Sequence, residues 1–469
     1  MRHRHPAVAV YPGGGFAGSV IVPLPSVPQG EPFPARERAA FWFFRLRTPP
    51  LSVYNRSEVS EMDMNSIIDP RPIIQKRSYD VIVAGGGIAG VAAAVSAARE
   101  GARVLLMEKG IVLGGLATAG LISWYEPLCD SRGTKMIGGA AEELIRLAAK
   151  YGFDDLPAAW KDGQNAEKRP DRYATHFSPT IFAAALDAYL AESGADIVLD
   201  CMAVYPVMEG ERAVGVAAET KQGRVFYGAK ALVDATGDAS LFYQAGLPTR
   251  NGENYMTFVA HGYRRESVME YAASEDPSMN QMRKWWFFGS DLYGNGHPEA
   301  LPKLAGVTAE EITDFVLTGR KMLFRQLQTE DREARDVAAL PTLPQLRTIR
   351  RIVGACEFTA TDREICPDSV GSCGDFRPAG WGKHYHIPYR SLYSPKCASL
   401  LAAGRVISAN REGWEASRVI PVCALTGQAA GTAAAMAALG DGDVRNVCVP
   451  ALRTKLKRNG VLFVDEERV

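Results

Sequence analysis

The stretch Ser78–Ala117, SYDVIVAGGGIAGVAAAVSAAREGARVLLMEKGIVLGGLA, admits few folds. An apolar strand is expected over Tyr79–Ala84, then a glycine turn from Gly85 to Gly90. A helix of small apolar residues follows over Val91–Arg99, and a second strand over Arg103–Met107 ends on Glu108. Gly85 permits the tight turn, Gly87 lets the backbone approach a pyrophosphate, and Gly90 lets helix and strand pack closely. The helix start offers unpaired N–H groups and a partial positive charge to the phosphates. Glu108 stands where a carboxylate accepts ribose hydroxyls. A lone GxGxxG also occurs in plain loops. Here the flanking strands, the helix and the terminal acid are all present, so the stretch reads as a dinucleotide-binding βαβ unit. The motif leaves NAD and FAD open.

A chain of 469 residues accommodates about two or three domains. Lys plus Arg and Asp plus Glu are both 53, and this balance gives no reason to expect nucleic acid or an anionic membrane as partner. No apolar run of membrane-spanning length is free of charge, Gly or Pro, so no transmembrane segment is expected. The eight cysteines are scattered without a CxxC pair. That pattern fits free thiols in a cytoplasmic protein and no metal site.

Residues 1–77 are rich in Pro and Gly and are expected to be a disordered extension. Phe41-Trp42-Phe43-Phe44 is an unusual aromatic cluster there, and Met62 or Met64 is a candidate natural start. A second glycine loop, Gly114–Gly120, follows the βαβ unit, then helices over Gly139–Lys150 and from Ser178-Pro179 to Glu192. Segments Asp196–Met208, Ala213–Glu219 and Arg224–Tyr227 read as an antiparallel meander, with one more strand over Lys230–Ala235. Residues 239–345 are richer in aromatic and charged residues, with a helix near Ala309–Leu327, and read as a substrate domain. A strand at Ser399–Ala403, a helix over Val422–Ala438 and another over Val449–Arg458 complete the chain.

Four segments carry a resemblance. GGGIAG (85–90) with Glu108 and Gly114-Gly115 is the first, DATGDAS (234–240) the second and RTIRRIVG (347–354) the third. The fourth is IPYRSLYSPKCASLLAAGRVISA (387–409) with SRVIPVCALTGQAAGTAAA (417–435). Together they resemble the FAD-dependent oxidoreductase family related to the fumarate reductase and succinate dehydrogenase flavoproteins. The resemblance implies an α/β fold, with a Rossmann-like FAD-binding domain of glutathione-reductase type, an antiparallel β-meander and an inserted α+β substrate or cap domain. The FAD-binding domain would comprise 78–240 and 346–469, and the insertion 241–345. It implies that Gly85, Gly87, Gly90 and Gly115 hold the pyrophosphate side and that Glu108 and Lys109 lie at the ribose. Val204 would sit near the adenine, and Ala235, Thr236, Gly237 and Asp238 along the ADP half. Gly404, Arg405, Arg418 and Val419 would lie at the flavin end. Residues 109–130 contain no histidine of the kind that links flavin covalently in those enzymes, so FAD is expected to be noncovalent.

Hydride transfer at flavin N5 needs a substrate held over the ring and an acid or base. His384 and His386, in GKHYHIPYR, would share one face of a strand and are candidates for that role; structural histidines are the alternative. Arg351 and Arg390, with Arg350, are candidates for an anionic substrate, with interface ion pairs as the alternative. Cys129 is expected to be a small buried hydrophobe, and Trp285-Trp286 to pack in the cap, with pocket lining as the other reading. The expectation is an FAD-dependent oxidoreductase acting on a small organic molecule, with electrons passing to oxygen, a quinone or a carrier protein. A flavin-dependent isomerase or synthase, or a flavin-binding assembly or regulatory protein, are the rivals.

Overall fold

A computed structural model describes residues 73–275, 278–364 and 366–464. The expectations for the aromatic cluster at 41–44, for the start at Met62 or Met64 and for residues 1–72 lie outside these.

The βαβ unit forms as read: β1 (Tyr79–Ala84), α1 (Ile88–Arg99) and β2 (Val104–Met107). Its strands are buried along their whole length, as suits a parallel sheet covered on both faces. Helices α2 (Ala140–Lys150) and α3 (Pro179–Glu192) follow, then β3 (Asp196–Val198), β4 (Met202–Glu209), β5 (Arg212–Thr220) and β6 (Gly223–Asp234). The sheet order is β3-β2-β1-β6-β5-β4. Three expected segments differ. Asp196–Met208 is broken between β3 and β4, where Asp200 has φ 51°. The two strands expected at 224–227 and 230–235 are one, β6, running through Gly228. The first half of β6 pairs antiparallel with β5, and the second half pairs parallel with β1. A single twelve-residue strand thus belongs to both the meander and the nucleotide sheet. The sheet also begins before Ser78, because Ile74-Gln75 pairs with Val225-Phe226.

A smaller antiparallel sheet consists of β7 (Thr257–Arg264), β8 (Arg283–Gly289) and β9 (Arg335–Ala339), with β7 in the middle. Alternation along the strands divides its residues by face. Met256, Phe258, Ala260 and Trp286 pack with Phe315 and Leu323 of α4 (Ala309–Leu327) in a second hydrophobic cluster. Thr257, Val259, Trp285 and Phe287 look the other way, into a cavity. The adjacent tryptophans therefore divide the two roles considered for them: Trp285 lines the cavity and Trp286 packs.

Buried Asn254 staples this region together. Its Nδ2 donates to the carbonyls of Leu304 (3.0 Å) and Thr348 (2.6 Å), and its Oδ1 accepts from the amides of Arg347 (2.7 Å) and Thr348 (2.8 Å). Asn254→Ala leaves those groups without this partner inside the protein and is expected to cost about 2–4 kcal/mol in chemical denaturation. Unchanged stability would show that water replaces the amide.

The C-terminal part holds the hairpin β10 (Ser369–Gly374) and β11 (His384–Pro388), then β12 (Leu400–Ala402), which joins β6 in parallel, then α5 (Ile420–Leu439) and, as expected, a last helix α6 (Val449–Arg458). By length and composition α5 passes for a membrane span, yet 83% of its most apolar window is buried in the protein. It crosses α1 at backbone contact distance. A Cβ at Gly427 would lie 2.2 Å from the Ala89 oxygen, and one at Gly431 2.0 Å from that of Ala93. Four residues apart, these glycines share a helix face and let α5 lie close against α1.

Candidate active site

The glycine turn has the geometry of a nucleotide cradle. Gly85 has φ 104°, and a Cβ there would sit 2.4 Å from the Ala235 oxygen; one at Gly90 would sit 1.8 Å from the Gly85 oxygen. Gly87 is different, because a Cβ there meets no protein atom within 4 Å. Open space lies at that point, in front of the α1 N-terminus. Gly87 caps α1 without a side-chain bond, so the first-turn N–H groups of α1 are directed toward that space. The Glu108 carboxylate is oriented at this rim by the amides of Gly86 (2.6 Å) and Gly110 (2.7 Å), with lone pairs to spare for hydroxyls.

One cavity of about 390 Å³, within the range of small-molecule sites, runs along this cradle. Gly85, Gly87, Glu108, Lys109, Gly115, Ala235, Thr236, Gly237, Asp238, Gly404, Arg405, Arg418 and Val419 line it. Gly90 stands just behind the wall, against Gly85. Val204 lies on β4 and does not line the cavity. The loop bearing Thr236 to Asp238 is held by buried Asp234, which accepts from the Thr236 amide and hydroxyl and from the amides of Leu241 and Phe242. Burial pushes this carboxyl up to about 6 despite those donors.

The residues singled out as catalytic are elsewhere. His384 and His386 are buried in the β10–β11 hairpin, where His386 Nδ1 lies 3.4 Å from Ser369 Oγ. Arg351 pairs with Glu357 at 3.3 Å and lies over the Trp414 ring, while Arg390 pairs with Asp368 at 2.9 Å. None of the four lines the cavity. Closeness in sequence to β12 does not bring them to the cavity, because β10 and β11 pair as a separate two-stranded sheet and of residues 369–388 only Phe376, in the connecting loop, lines it. Arg350 stacks over Tyr243 at 3.9 Å, and Cys129 is buried against the Tyr173 amide.

Other residues take their place at the wall. Glu126 lines the cavity beside the start of α5, accepting from the Ile420 amide at 3.3 Å. Burial holds its carboxyl up at about 7, against the pull of Arg418 and that amide. A group with such a pKa changes charge at working pH, as an acid or base must. The signal in the sequence was slight: one carboxylate in the otherwise apolar run LISWYEPL. Of the histidines, His261 is nearest in the chain to the wall residue Val259. It stacks on Trp285 at 4.7 Å, and burial pushes it down to about 3, so it stays neutral. The segment Leu343–Ile349, which spans the end of the expected substrate domain and the start of the third resemblance segment, also reaches the wall. Buried Gln345 ties it in place, accepting from the Val259 amide (2.6 Å) and donating to the Gly120 carbonyl (2.6 Å).

A glycine turn at a helix start, a rim carboxylate and an adjoining apolar chamber with a titrating acid define a dinucleotide-dependent enzyme. The model of the FAD dependent oxidoreductase family matches residues 80–284 and 297–456. The chain belongs to that family; it is an FAD-dependent oxidoreductase, with FAD as cofactor. Among solved structures it is similar to a geranylgeranyl bacteriochlorophyll reductase-like protein from Thermoplasma acidophilum, with 16% identity, 82% of this chain, 83% of that chain and TM-score 0.43. It is also similar to p-nitrophenol 4-monooxygenase from Pseudomonas putida, with 12% identity, 82% and 88% coverage and TM-score 0.45.

Proposed function

We propose that the protein transfers a hydride between a small organic substrate and N5 of noncovalently held FAD, with the substrate bound beneath the small sheet. The observation that carries this is that one cavity joins the glycine cradle to a chamber containing Glu126 and roofed by Trp285 and Phe287. In this reading Gly85, Gly87, Gly90 and the α1 N-terminus take the pyrophosphate, and Glu108 the ribose. Gly404, Arg405, Arg418, Val419 and the start of α5 serve the flavin end. Residues 241–345 act as the cap between the two FAD-binding parts, 78–240 and 346–469. Bound FAD supplies two-electron chemistry at N5.

The chain's own residues do the rest. The Glu126 carboxyl gives or takes the substrate proton, the role for which sequence pointed to His384 and His386, because it lines the cavity and they do not. Trp285 and Phe287 keep water away from the reacting atoms. Electrons leave to oxygen, a quinone or a carrier protein. Kinship with the fumarate reductase and succinate dehydrogenase flavoproteins rests on the shared motif segments, and the lack of histidine in 109–130 favours a noncovalent cofactor.

The test is a visible spectrum of the purified protein, repeated after acid precipitation and during anaerobic addition of candidate donors. A flavin spectrum that moves to the supernatant and is bleached by an organic donor is expected. A protein that neither carries nor takes up FAD overturns the reading.

A further inference from the structure

We infer that the chamber beneath the small sheet takes a substrate with a carboxylate head and a flat apolar body, the head held by Arg347. This deepens the proposed function and rests on it. Three guanidinium groups line the cavity: Arg347, Arg405 and Arg418. Two are already engaged. Arg418 gives both Nε and Nη2 to Glu415 (2.8 and 2.6 Å), and Arg405 gives Nε to the Gly237 carbonyl (2.8 Å) and Nη1 to that of Leu346 (2.5 Å).

Arg347 differs. Its Nη1 donates to the Asp291 carbonyl at 3.0 Å, and its amide to Asn254. Among the described residues its Nε–Nη2 edge makes no hydrogen bond and no carboxylate lies within salt-bridge distance of it. A half-buried guanidinium with a free edge offers two parallel donors, the geometry that a carboxylate's two oxygens meet. Burial and the charge of Arg418 push Arg347 down to about 10 against the pull of the Glu415 and Asp291 carboxylates, so it stays a cation at neutral pH.

The position of Arg347 gives the ligand its shape. Asp291 follows the end of β8, and Asn254 precedes β7, so the guanidinium is fixed at the end where Gly289 pairs with Thr257. From there the wall continues along Phe287 and Val259 to Trp285, with Phe376 and Ile349 also lining the chamber. A cation at one end of an aromatic wall fits an arylcarboxylate rather than a polyol or an amine.

The probe is phenylacetate, with phenylacetamide as its uncharged counterpart, titrated into the FAD-loaded protein and read by the shift of the flavin visible band. Phenylacetate is expected to shift the band saturably. Phenylacetamide, and phenylacetate with Arg347→Gln, are expected to bind about tenfold to a hundredfold more weakly. Arg347→Gln is expected to purify with its flavin. Equal binding of acid and amide, undiminished phenylacetate binding by Arg347→Gln, or no response of wild type to either probe overturns the inference. So does flavin loss confined to Arg347→Gln, which would assign the guanidinium to the cofactor. Wild-type protein that takes up no FAD would instead overturn the functional reading beneath it.

Discussion

Gly87→Ala is expected to yield a normally folded protein that has lost most of its grip on FAD. Gly90→Ala is expected to lose both FAD and stability. The two glycines stand in one turn and present opposite surroundings. At Gly90 a methyl would lie 1.8 Å from the Gly85 carbonyl oxygen, which is backbone and cannot turn aside. The turn must open or α1 must lift from β1. Overpacking of that kind costs about 3 kcal/mol, enough to lower the melting temperature of flavin-free protein clearly. At Gly87 a methyl meets no protein atom within 4 Å, and the residue's φ of −67° suits alanine. Flavin-free Gly87→Ala should therefore melt like wild type. The methyl does occupy the space before the α1 N-terminus, where the pyrophosphate is proposed to lie, and there it should weaken FAD at least about tenfold, or ~1.4 kcal/mol. Flavin content after gel filtration and thermal melts of the stripped proteins separate the two effects. Wild-type affinity for FAD in Gly87→Ala would mean that the pyrophosphate does not approach this turn.

Glu126→Gln is expected to lower turnover by about 10²–10⁴-fold and to remove a limb of the pH–rate profile near 7. Glutamine keeps the side-chain shape and can still accept from the Ile420 amide, but it cannot exchange a proton. The stability effect runs the other way. The Glu126 pKa is near 4.5 in the unfolded chain and about 7 when folded, so the folded state retains a proton that the unfolded state has lost between those values. The stability linked to that proton is fully present below about 4.5 and is lost as pH rises through about 7. The amide does not titrate. Relative to wild type, Glu126→Gln should thus gain stability between pH 4.5 and 7, by on the order of 3 kcal/mol. Melting curves of flavin-free protein across that window test the sign. A variant with unaltered pH–rate limbs would remove Glu126 from the chemistry.

The dinucleotide cradle was legible because its parts are adjacent in the chain. A strand, a turn that only glycine can make, a helix of small residues and a terminal acid lie within Tyr79–Glu108, and each leaves a local mark. The α5 helix was legible for the same reason, starting at its proline and running through small apolar residues. Gly228 misled, because glycine inside an apolar run looks like a break, whereas here the strand passes straight through it. A Cβ at Gly228 would lie 2.5 Å from Ser78 Oγ, so this glycine serves a close approach and not a turn.

The chemistry was decided by contacts between segments far apart in the chain. Glu126 gains its shifted pKa from burial beside the start of α5, almost three hundred residues later, and one carboxylate in an apolar run has no periodicity to betray it. Arg347 becomes an unpaired cation only because Asn254 and Asp291 fix it at the end of two strands. His384 and His386 looked catalytic by their place in the chain and are carried off the cavity by a hairpin. The sequence by itself thus determined the cradle, the helices named in advance and a dinucleotide cofactor, which follow from local backbone geometry and period, while the choice of FAD came from the resemblance of whole segments. Only the tertiary structure decided which acid and which cation face the chamber, because burial and charge pairing depend on what neighbouring segments bring.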